Sequence, residues 1–500
     1  MNALDPASPD GSPTPADGGT PYADAVAENA AKDLLRLNVP GHSADPSGGS
    51  ELMEFFGEDV VRKDISPLLR GVDLGPGNPL STSLVLAAGA WGARRTWFLT
   101  NGASQANRIG ALAFGSLGHA NQPVVVQRSA HSSFIDGIIL AGLLPVFVQP
   151  LVDDRYGIAH GVAAAELERV LSANPDAKGV YLVTPSYFGA VADVASMADI
   201  AHAAGIPLMV DEAWGAHFGF HPGLPRNALS FGADLVVSST HKLGGSLTQS
   251  AMLHLGNGPF AGILEPLVQR AYMLTMSTSP SALLLSSLDI ARHSLSTGAE
   301  RIATSIDTAE RIREKIRALG RFGIVSDTWD FDEVIGNDPL RVSVDVRRAG
   351  LNGHAVRDEL VRSAGIYTEI STDSCIVAFL GPGFDPDEDR FVDALHRLEP
   401  VGALAYADTP DLDLPRFGAL SIRPREAWFS AASAIPARDA VGHISADSLA
   451  AYPPGIPNVL PGEVITAEVV DFLRKVAASP GGYVRGAIDP AVDFLRVVEA

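Results

Sequence analysis

The strongest pattern along the chain is a series of short apolar runs between residues 84 and 256, separated by longer Ala-rich segments. The runs are apolar on both faces and rich in β-branched residues, which is typical of strands in a parallel sheet that helices cover on both sides. They are TWFLT, PVVVQ, LPVFV, GVYLV, PLMVD, ADLVVSS and AMLHL, and segments such as ASQANRIGALAFGSLGH and VASMADIAHAAG lie between them. We therefore predict an α/β fold with a mostly parallel central sheet and helices on both faces.

The composition changes along the chain in a way that predicts five regions. Residues 1–21 have few large apolar side chains and are expected to form a disordered leader. Residues 22–83 form an N-terminal arm that is helical from Tyr22 to Leu37, and residues 84–300 form the major domain. Residues 301–409 form a smaller α+β domain, and residues 410–500 form a C-terminal domain. Its proline-rich segment AYPPGIPNVLPGEVIT is expected to be extended.

Charge and cysteine content narrow the classes of partner and compartment. The formal net charge of −21 repels nucleic acid and anionic membranes, so neither is an expected partner. No apolar run approaches the roughly 18–20 residues that a membrane helix needs, and the N-terminus lacks the features of a secretory signal. The single cysteine, Cys375, lies in the strand-like run CIVAFL and permits no intrachain disulfide. We therefore expect a cytoplasmic protein with a structural cysteine.

A lysine follows one of the predicted strands, in the segment SSTHKLGG at residues 238–245. Desolvation lowers the pKa of a lysine, and the free amine of Lys242 could then form an imine with an aldehyde. The neighbouring Ser239 and His241 could donate hydrogen bonds to an anion such as phosphate. Taken alone, this segment is equally compatible with a solvated lysine in a surface loop.

A carboxylate ends another predicted strand, in MVDEAWGAHFGF at residues 209–220. Asp211 precedes Lys242 by 31 residues, and both follow strands that can end at the same sheet edge. A carboxylate there can keep a pyridine nitrogen protonated. The alternative is a metal site of Asp211, Glu212 and His217. We predict no metal, because Glu212 should point to the opposite face of the strand.

A third motif, FLTNGASQAN at residues 98–107, runs from a strand through a glycine turn into a helix. Backbone N–H groups at such a helix start can bind phosphate. The motif is neither a Walker loop nor a dinucleotide fingerprint. A phosphate turn, a ring-binding acid and an imine lysine on one parallel sheet together describe a site for pyridoxal 5'-phosphate.

With these motifs the chain resembles the ornithine/lysine/arginine decarboxylase family over nearly its whole length past the leader. The matching blocks are NVPGH, TNGASQAN, QRSAHSS, TPSYFG, VDEAWGAHF, SSTHK, STSPSALLLSSLD and RPREAWF…AYPPGIPNVLPGEVIT. The resemblance implies a pyridoxal-phosphate-dependent fold of the aspartate-aminotransferase type and a short form without an additional N-terminal domain. It also implies decarboxylation of a basic amino acid to its amine, with arginine expected first and then lysine or ornithine, as a lyase of polyamine biosynthesis.

The resemblance also implies roles for individual residues. Lys242 corresponds to the Schiff-base lysine, Asp211 to the partner of the pyridine nitrogen, and His131 to the histidine that stacks on the ring. The phosphate would be held by Ala103, Ser104 and Gln105 with Ser239 and His241, and the phenolic oxygen would lie near Ser186 and Trp214. Lys242 or His241 would return a proton to the substrate carbon. Ser277 and Thr278 would reach the phosphate of a neighbouring subunit, which implies a homodimer with shared active sites. Assembly above the dimer is left open by the resemblance.

Several points stay open at this stage. Glu426 could bind the distal cation of the substrate or could be an ordinary helix-surface glutamate. Members of the family commonly carry lysine at the position of Ser43, and cysteine and lysine at the positions of Ala130 and Ser132, so the substrate is not fixed by the resemblance. Alternative hypotheses are another pyridoxal-phosphate reaction, such as elimination or a transamination with Arg423 or Arg425 binding the substrate carboxylate, and a non-catalytic relative.

Overall fold

The computed structural model describes residues 18–45, 50–406, 417–452, 456–479 and 482–499. Most of the predicted leader, residues 1–17, and residues 453–455 of the proline-rich segment lie outside these ranges. Within them, no helix is long and apolar enough to cross a membrane. The α-helices of the described ranges are α1 (Pro21–Ala30), α2 (Glu51–Phe56), α3 (Glu58–Lys63), α4 (Pro79–Trp91), α5 (Gly102–Gly115), α6 (Ser132–Ala141), α7 (Ala164–Ala173), α8 (Val194–Ala203), α9 (Thr240–Leu243), α10 (Ala261–Thr275), α11 (Ala282–Ser296), α12 (Ala299–Ala318), α13 (Gly353–Ala364), α14 (Glu388–His396), α15 (Pro424–Phe429) and α16 (Ala467–Ala478).

The strands of the same ranges form one large sheet and several small ones. They are β1 (Arg95–Leu99), β2 (Pro123–Gln127), β3 (Leu144–Val148), β4 (Val152–Asp153), β5 (Ile158–Ala159), β6 (Val180–Val183), β7 (Ala190–Ala192), β8 (Leu208–Asp211), β9 (Leu235–Ser238), β10 (Ala251–Leu255), β11 (Gly323–Ile324), β12 (Val334–Asn337), β13 (Arg341–Asp345), β14 (Ile370–Ser371), β15 (Cys375–Phe379), β16 (Ala432–Pro436), β17 (Leu449–Tyr452), β18 (Pro457–Val459), β19 (Tyr483–Arg485) and β20 (Phe494–Val498).

The central sheet has the order β1-β10-β9-β8-β6-β2-β3, and each of its strands falls on one of the seven predicted apolar runs. Strands β9, β8, β6, β2 and β3 are parallel, whereas β10 is antiparallel to both β9 and β1. The connection from β9 to β10 contains only the short helix α9, so β10 returns beside β9 in the opposite direction. The prediction of a mostly parallel sheet is confirmed.

Helices cover both faces of this sheet, as the two-sided apolar strands predict. Along β2, Val124 and Val126 belong to a core with α5, α6 and α10, whereas Val125 belongs to a core with α7 and α8. Gly110 lets α5 approach the sheet closely, because a Cβ atom there would lie 2.2 Å from Met209 Sδ of β8. The N-termini of α5 and α6 are therefore held over the edge at which β8 and β9 end.

The N-terminal arm differs from the prediction. The helix expected from Tyr22 to Leu37 ends at Ala30, where α1 stops burying side chains against α4 and α11. Beyond this point Leu35 and Leu37 are 87% and 88% exposed. Because most of the stability of a helix in a protein comes from packing, a segment without a buried face does not continue the helix.

The remainder of the chain contains two smaller α+β units, as expected. Strands β11-β13-β15-β14 form a four-stranded sheet, which packs against α12, α13 and α14. The C-terminal region, residues 417–499, contains the sheets β16-β20 and β18-β17-β19 with α16. Cys375 lies fully buried in β15, and burial raises the pKa of its thiol to about 12, which suits a structural role. The domain boundaries given above remain predictions.

A buried ion pair joins the C-terminal region to the major sheet. Arg128 directly follows β2 and is 1% exposed. Its guanidinium donates hydrogen bonds to the Pro457 carbonyl at 2.6 Å and to Glu463 Oε2 at 3.1 Å, and it lies 3.7 Å from the ring centroid of Phe417. A buried guanidinium must be paired, so this contact fixes the C-terminal region against the turn that follows β2.

We expect Glu463→Gln to destabilise the contact between the C-terminal region and the major sheet, because it leaves the charge of Arg128 buried without a counter-ion. Losing one partner of a buried pair costs about 3–5 kcal/mol. Asp493→Asn is a matched control, since the Arg474–Asp493 pair of the same region is about half exposed and is worth at most about 1 kcal/mol. Scanning calorimetry should show a lower Tm for Glu463→Gln alone. Equal shifts for the two variants would contradict this role of the buried pair.

Candidate active site at the carboxyl edge of the sheet

A buried carboxylate lies where β8 ends. Asp211 is 3% exposed and, by strand alternation, lies on the same face as Met209, towards α5 and α6. Its Oδ2 accepts hydrogen bonds from Tyr181 Oη at 2.7 Å and from Asn107 Nδ2 at 2.8 Å. Its Oδ1 accepts one from the Ala213 backbone N–H at 3.0 Å. These donors compensate the loss of water around the charge and fix the carboxylate in one orientation.

Two of these donors were not among the residues expected from the sequence. Burial, and then the charge of Asp211, raise the pKa of Tyr181 well above its usual value, so its hydroxyl stays protonated and donates. The ring of Tyr181 stacks on Phe134 with 3.6 Å between centroids. Asn107 donates a second hydrogen bond, to Ser133 Oγ at 3.0 Å. A tyrosine inside the aliphatic run GVYLV and an asparagine on an apolar helix face were the only signals of this network.

Lys242 lies in α9, directly beyond β9, and is half-buried rather than solvated. Its Nζ lies 3.9 Å from the centroid of the Trp214 ring. Burial lowers the pKa of Lys242 to about 8; the charge of Asp211 opposes this shift and that of Arg341 adds to it. With a pKa of about 8, a much larger fraction of this amine is unprotonated near neutral pH than of an ordinary lysine, and the unprotonated form is the nucleophile.

His131 caps the N-terminus of α6. Its Nδ1 accepts a hydrogen bond from the Ser133 backbone N–H at 3.2 Å and lies 2.8 Å from Ser133 Oγ. Burial lowers the pKa of His131, and Asp211 opposes this shift. The cations of Lys242 and Arg485 lower it further. The imidazole is accordingly neutral, with Nδ1 as an acceptor.

The start of α5 offers unpaired backbone donors. Gly102 adopts φ +72° and donates its N–H to the Gln249 carbonyl at 2.7 Å, while the Gln105 N–H donates to the Asn101 carbonyl at 3.3 Å. Within the described ranges, the N–H groups of Ala103 and Ser104 have no hydrogen-bond acceptor. Together with the helix dipole, these N–H groups can bind an anion.

Residues on α9 lie close to this helix start. Ser239 is the N-cap residue of α9, is 2% exposed and makes no capping hydrogen bond with its side chain. The His241 N–H donates a long hydrogen bond, 3.4 Å, to the Ser250 carbonyl. The residue before Ser250 is Gln249, whose carbonyl accepts the hydrogen bond from the Gly102 N–H. Burial, and then the charge of Lys242, lower the pKa of His241. Ser239 and His241 thus border the same anion-binding edge.

An unsatisfied donor lies beside Lys242. Trp214 Nε1 is buried and has no hydrogen-bond partner among the described residues. Ser186, which follows β6, accepts a hydrogen bond from the Ala190 N–H at 3.2 Å and lies 3.4 Å from His160 Nδ1. Because buried donors are normally paired, the indole N–H of Trp214 is suited to an oxygen atom of a ligand.

Other expected residues lie away from Lys242. Ser277 and Thr278 are exposed on the segment that follows α10, close to Gln105, whose side chain contacts Thr275 at 3.4 Å. Glu426 is exposed on α15, which packs near the C-terminal end of α6. That end lies about 15 Å from His131. The structure therefore does not bring Glu426 to the lysine of its own subunit.

The arginines considered for a substrate carboxylate are held at the same distant end of α6. Arg423 donates to Asn121 at 2.7 Å, and Arg425 donates to the Leu140 carbonyl at 2.6 Å. The residues of the alternative metal site also diverge. Glu212 accepts from the Ala228 N–H at 2.9 Å, whereas His217 pairs with Asp338 at 3.0 Å.

A cation from the C-terminal region reaches the first turn of α6. Arg485 of β19 donates a hydrogen bond to Ser132 Oγ, and Ser132 is 5% exposed. Ser132 is one of the positions at which the resemblance predicted a different residue. Nothing in the local sequence around Arg485 indicated this contact, because it joins residues 353 positions apart.

Comparisons with known proteins agree with this geometry. The sequence profile described as "Orn/Lys/Arg decarboxylase, major domain" matches residues 20–338, and that of the "Orn/Lys/Arg decarboxylase, C-terminal domain" matches residues 419–482. The chain is 33% identical over 487 residues to the arginine decarboxylase of Bacillus subtilis, covering 96% of this chain and 98% of that protein. It is 24% identical to the lysine decarboxylase of Hafnia alvei, covering 91% and 74%.

Solved structures show the same fold at low sequence identity. Lysine decarboxylase A from Pseudomonas aeruginosa superposes with a TM-score of 0.81 at 20% identity, covering 96% of this chain and 80% of that one. The Escherichia coli constitutive lysine decarboxylase gives a TM-score of 0.78 at 20% identity, covering 96% and 82%. The profile match over most of the chain and the full-length relatives establish that this chain belongs to the ornithine/lysine/arginine decarboxylase family.

Proposed function

We propose that this chain binds pyridoxal 5'-phosphate and decarboxylates a basic amino acid, with arginine as the first candidate and lysine or ornithine as alternatives. One observation carries the proposal: the oriented carboxylate of Asp211 and the amine of Lys242, with its lowered pKa, lie at one sheet edge close enough for their charges to interact. Four arginine decarboxylases that are 31–33% identical to the chain support the choice of arginine.

The residues at this edge fit the cofactor. Among the described residues, the N–H groups of Ala103 and Ser104 have no acceptor and could bind its phosphate, and Trp214 Nε1 has none and could bind a ring oxygen. Gln105, Ser239 and His241 would complete the phosphate site, Ser186 would lie beside Trp214, and the neutral ring of His131 would pack on one face of the pyridine. The charge of Asp211 matches a protonated pyridine nitrogen.

The chemistry can be divided between cofactor and protein. Pyridoxal phosphate, when bound, supplies an aldehyde that condenses with amines and a protonated ring that accepts electron density. Lys242 presents an unprotonated amine to that aldehyde. The Asp211 carboxylate, fixed by Tyr181 and Asn107, keeps the proton on the ring nitrogen and so stabilises negative charge where it develops.

Lys242 also serves as the proton donor after carbon dioxide has left. In this structure Nζ lies over Trp214, whose π face would stabilise the ammonium group that forms when the amine takes up the proton of the incoming substrate ammonium. It can then return a proton to the carbon that lost its carboxylate. His241 is the second candidate for this role, because it is half-buried beside Lys242.

Two further proposals concern assembly and compartment. A homodimer is supported by the exposed Ser277 and Thr278 and by an arm whose Leu35, Leu37 and Phe55 are each more than 80% exposed. In such a dimer Glu426 could act only at a neighbouring subunit's site. We place the protein in the cytoplasm, where a single buried thiol stays reduced.

A substrate panel tests the function directly. The purified protein, loaded with pyridoxal phosphate, should release carbon dioxide from carboxyl-labelled arginine faster than from lysine or ornithine and form the matching amine. Lys242→Ala should lose both the release and the visible absorbance of the bound cofactor, whereas Lys475→Ala on α16 should keep both. A keto acid in place of the amine would mean transamination, and a wild-type protein without the absorbance would mean a non-catalytic relative.

The pKa of Lys242 gives a pH-dependent prediction for the cofactor-free protein. Competitive acetylation followed by peptide mass spectrometry should show Lys242 becoming reactive around pH 8, since its pKa is about 8. Lys315 is the internal control, because hydrogen bonds to Asp389 and Glu388 raise its pKa. Its reactivity should rise only at higher pH. Coinciding profiles for the two lysines would be inconsistent with desolvation of Lys242.

Asp211→Asn should lower kcat by about 10²–10³, because a neutral amide no longer favours a proton on the ring nitrogen. Steady-state kinetics on the preferred substrate measure the effect, and the absorbance of bound cofactor confirms that the site is loaded. Tyr181→Phe is the matched comparison, since it removes one hydrogen bond to the carboxylate and leaves the charge in place. Its loss of kcat should be smaller. An unchanged kcat in a loaded Asp211→Asn protein would remove Asp211 from the proposal.

A further inference from the structure

The first turn of α6 is held from two sides by polar contacts. On one side, Arg485 of the C-terminal region donates to Ser132 Oγ. On the other side, Asn107 donates to Ser133 Oγ and also to Asp211. The two serines are adjacent, so the turn that carries His131 bridges the C-terminal region and the buried carboxylate.

We propose that Arg485 is a positioning residue for His131: its hydrogen bond to Ser132 fixes the first turn of α6 and so orients the imidazole. Burial is the main reason that the imidazole is neutral, and the positive charge of Arg485 acts in the same direction. This role rests on the proposed function, in which the neutral ring of His131 packs against the cofactor. Arg485 acts through Ser132 and is not proposed to contact the cofactor or the substrate.

The hydrogen bonds around the imidazole require this charge state. Nδ1 accepts from the Ser133 N–H at 3.2 Å, so it carries no proton. Ser133 Oγ accepts from Asn107 at 3.0 Å, which leaves its own proton to point at Nδ1, 2.8 Å away. Protonation of His131 at Nδ1 would set two N–H donors against each other and remove the hydrogen bond from the Ser133 backbone N–H, although the Ser133 hydroxyl can rotate to accept.

Charges of both signs act on His131. The carboxylates of Asp211 on β8 and Asp136 on α6 favour the protonated ring. The cations of Lys242 on α9 and Arg485 on β19 disfavour it, as does burial. In the proposed function Lys242 would hold the cofactor, so its charge would differ between the loaded and the unloaded site. Arg485 is the cation that stays constant throughout.

The experiment replaces Arg485 and follows His131 in the cofactor-loaded protein. Histidines labelled with ¹³C at Cε1 are titrated by NMR, and His131→Asn assigns the resonance. In Arg485→Met the pKa of His131 should rise, because a nearby like charge has been removed. The acid limb of the kcat/KM profile should move to higher pH by a similar amount, since the ring becomes protonated at higher pH.

Two variants separate the charge effect from a general effect on structure. Arg485→Lys keeps the cation, so the His131 titration should stay close to that of the wild type. Arg474→Met removes an arginine of the same region whose pair with Asp493 is exposed, and should change neither profile. The inference is wrong if the pKa of His131 in Arg485→Met equals that in Arg474→Met. It is also wrong if Arg485→Lys raises the pKa of His131 as much as Arg485→Met does.

The outcome can be distinguished from failure of the proposed function. The NMR titration needs no turnover, so it tests Arg485 even if no carbon dioxide is released from any substrate. A wild-type protein that decarboxylates normally and an Arg485→Met protein with unchanged His131 titration would leave the function in place and overturn the role of Arg485.

Discussion

The structure depends on the burial of one carboxylate at the end of β8. Taking the charge of Asp211 out of water requires several well-placed donors, and the chain supplies them from β6, from α5 and from the backbone beyond the strand. Asn107 can reach the carboxylate only because Gly110 lets α5 lie close to Met209. The same asparagine binds Ser133 and so also places the start of α6. One desolvated charge thereby fixes both helix N-termini over the sheet edge.

Buried arginines bring the smaller units to this edge by the same rule. Arg341, at the start of β13, donates to the carbonyls of Tyr187 and Trp214 and pairs with Asp338. Arg128 extends in the other direction and binds Pro457 and Glu463. Such pairs are weak evidence for stability but strong constraints on geometry. A guanidinium is planar and donates its hydrogen bonds in fixed directions, so its partners must lie at matching positions. Arg341 and Arg128 thus connect the two smaller units to the major sheet, at whose edge the candidate active site lies.

Much of the fold follows from the sequence, because apolar runs without polar alternation identify each strand of the central sheet. The same pattern places Asp211 and Lys242 at one edge, since both directly follow such runs. Strand direction is harder to predict, and β10 is antiparallel because its connection carries no covering helix. The end of α1 at Ala30 was also missed, since helical character alone does not show where packing stops. The partners of Asp211 lie 30 and 104 residues away in the sequence, beyond the reach of local patterns.

The departure from the family pattern at Ser132 has a physical consequence that the sequence alone does not reveal. A lysine at this position, which the resemblance predicted, would place its cation on the same helix as the imidazole of His131. In this chain a small hydroxyl occupies the position, and the cation comes from β19 in the C-terminal region. The environment of His131 then depends on the contact between that region and the major sheet. The buried Arg128–Glu463 pair is part of this contact. The proposed surroundings of His131 would therefore depend on a contact between residues that lie more than three hundred positions apart in the chain.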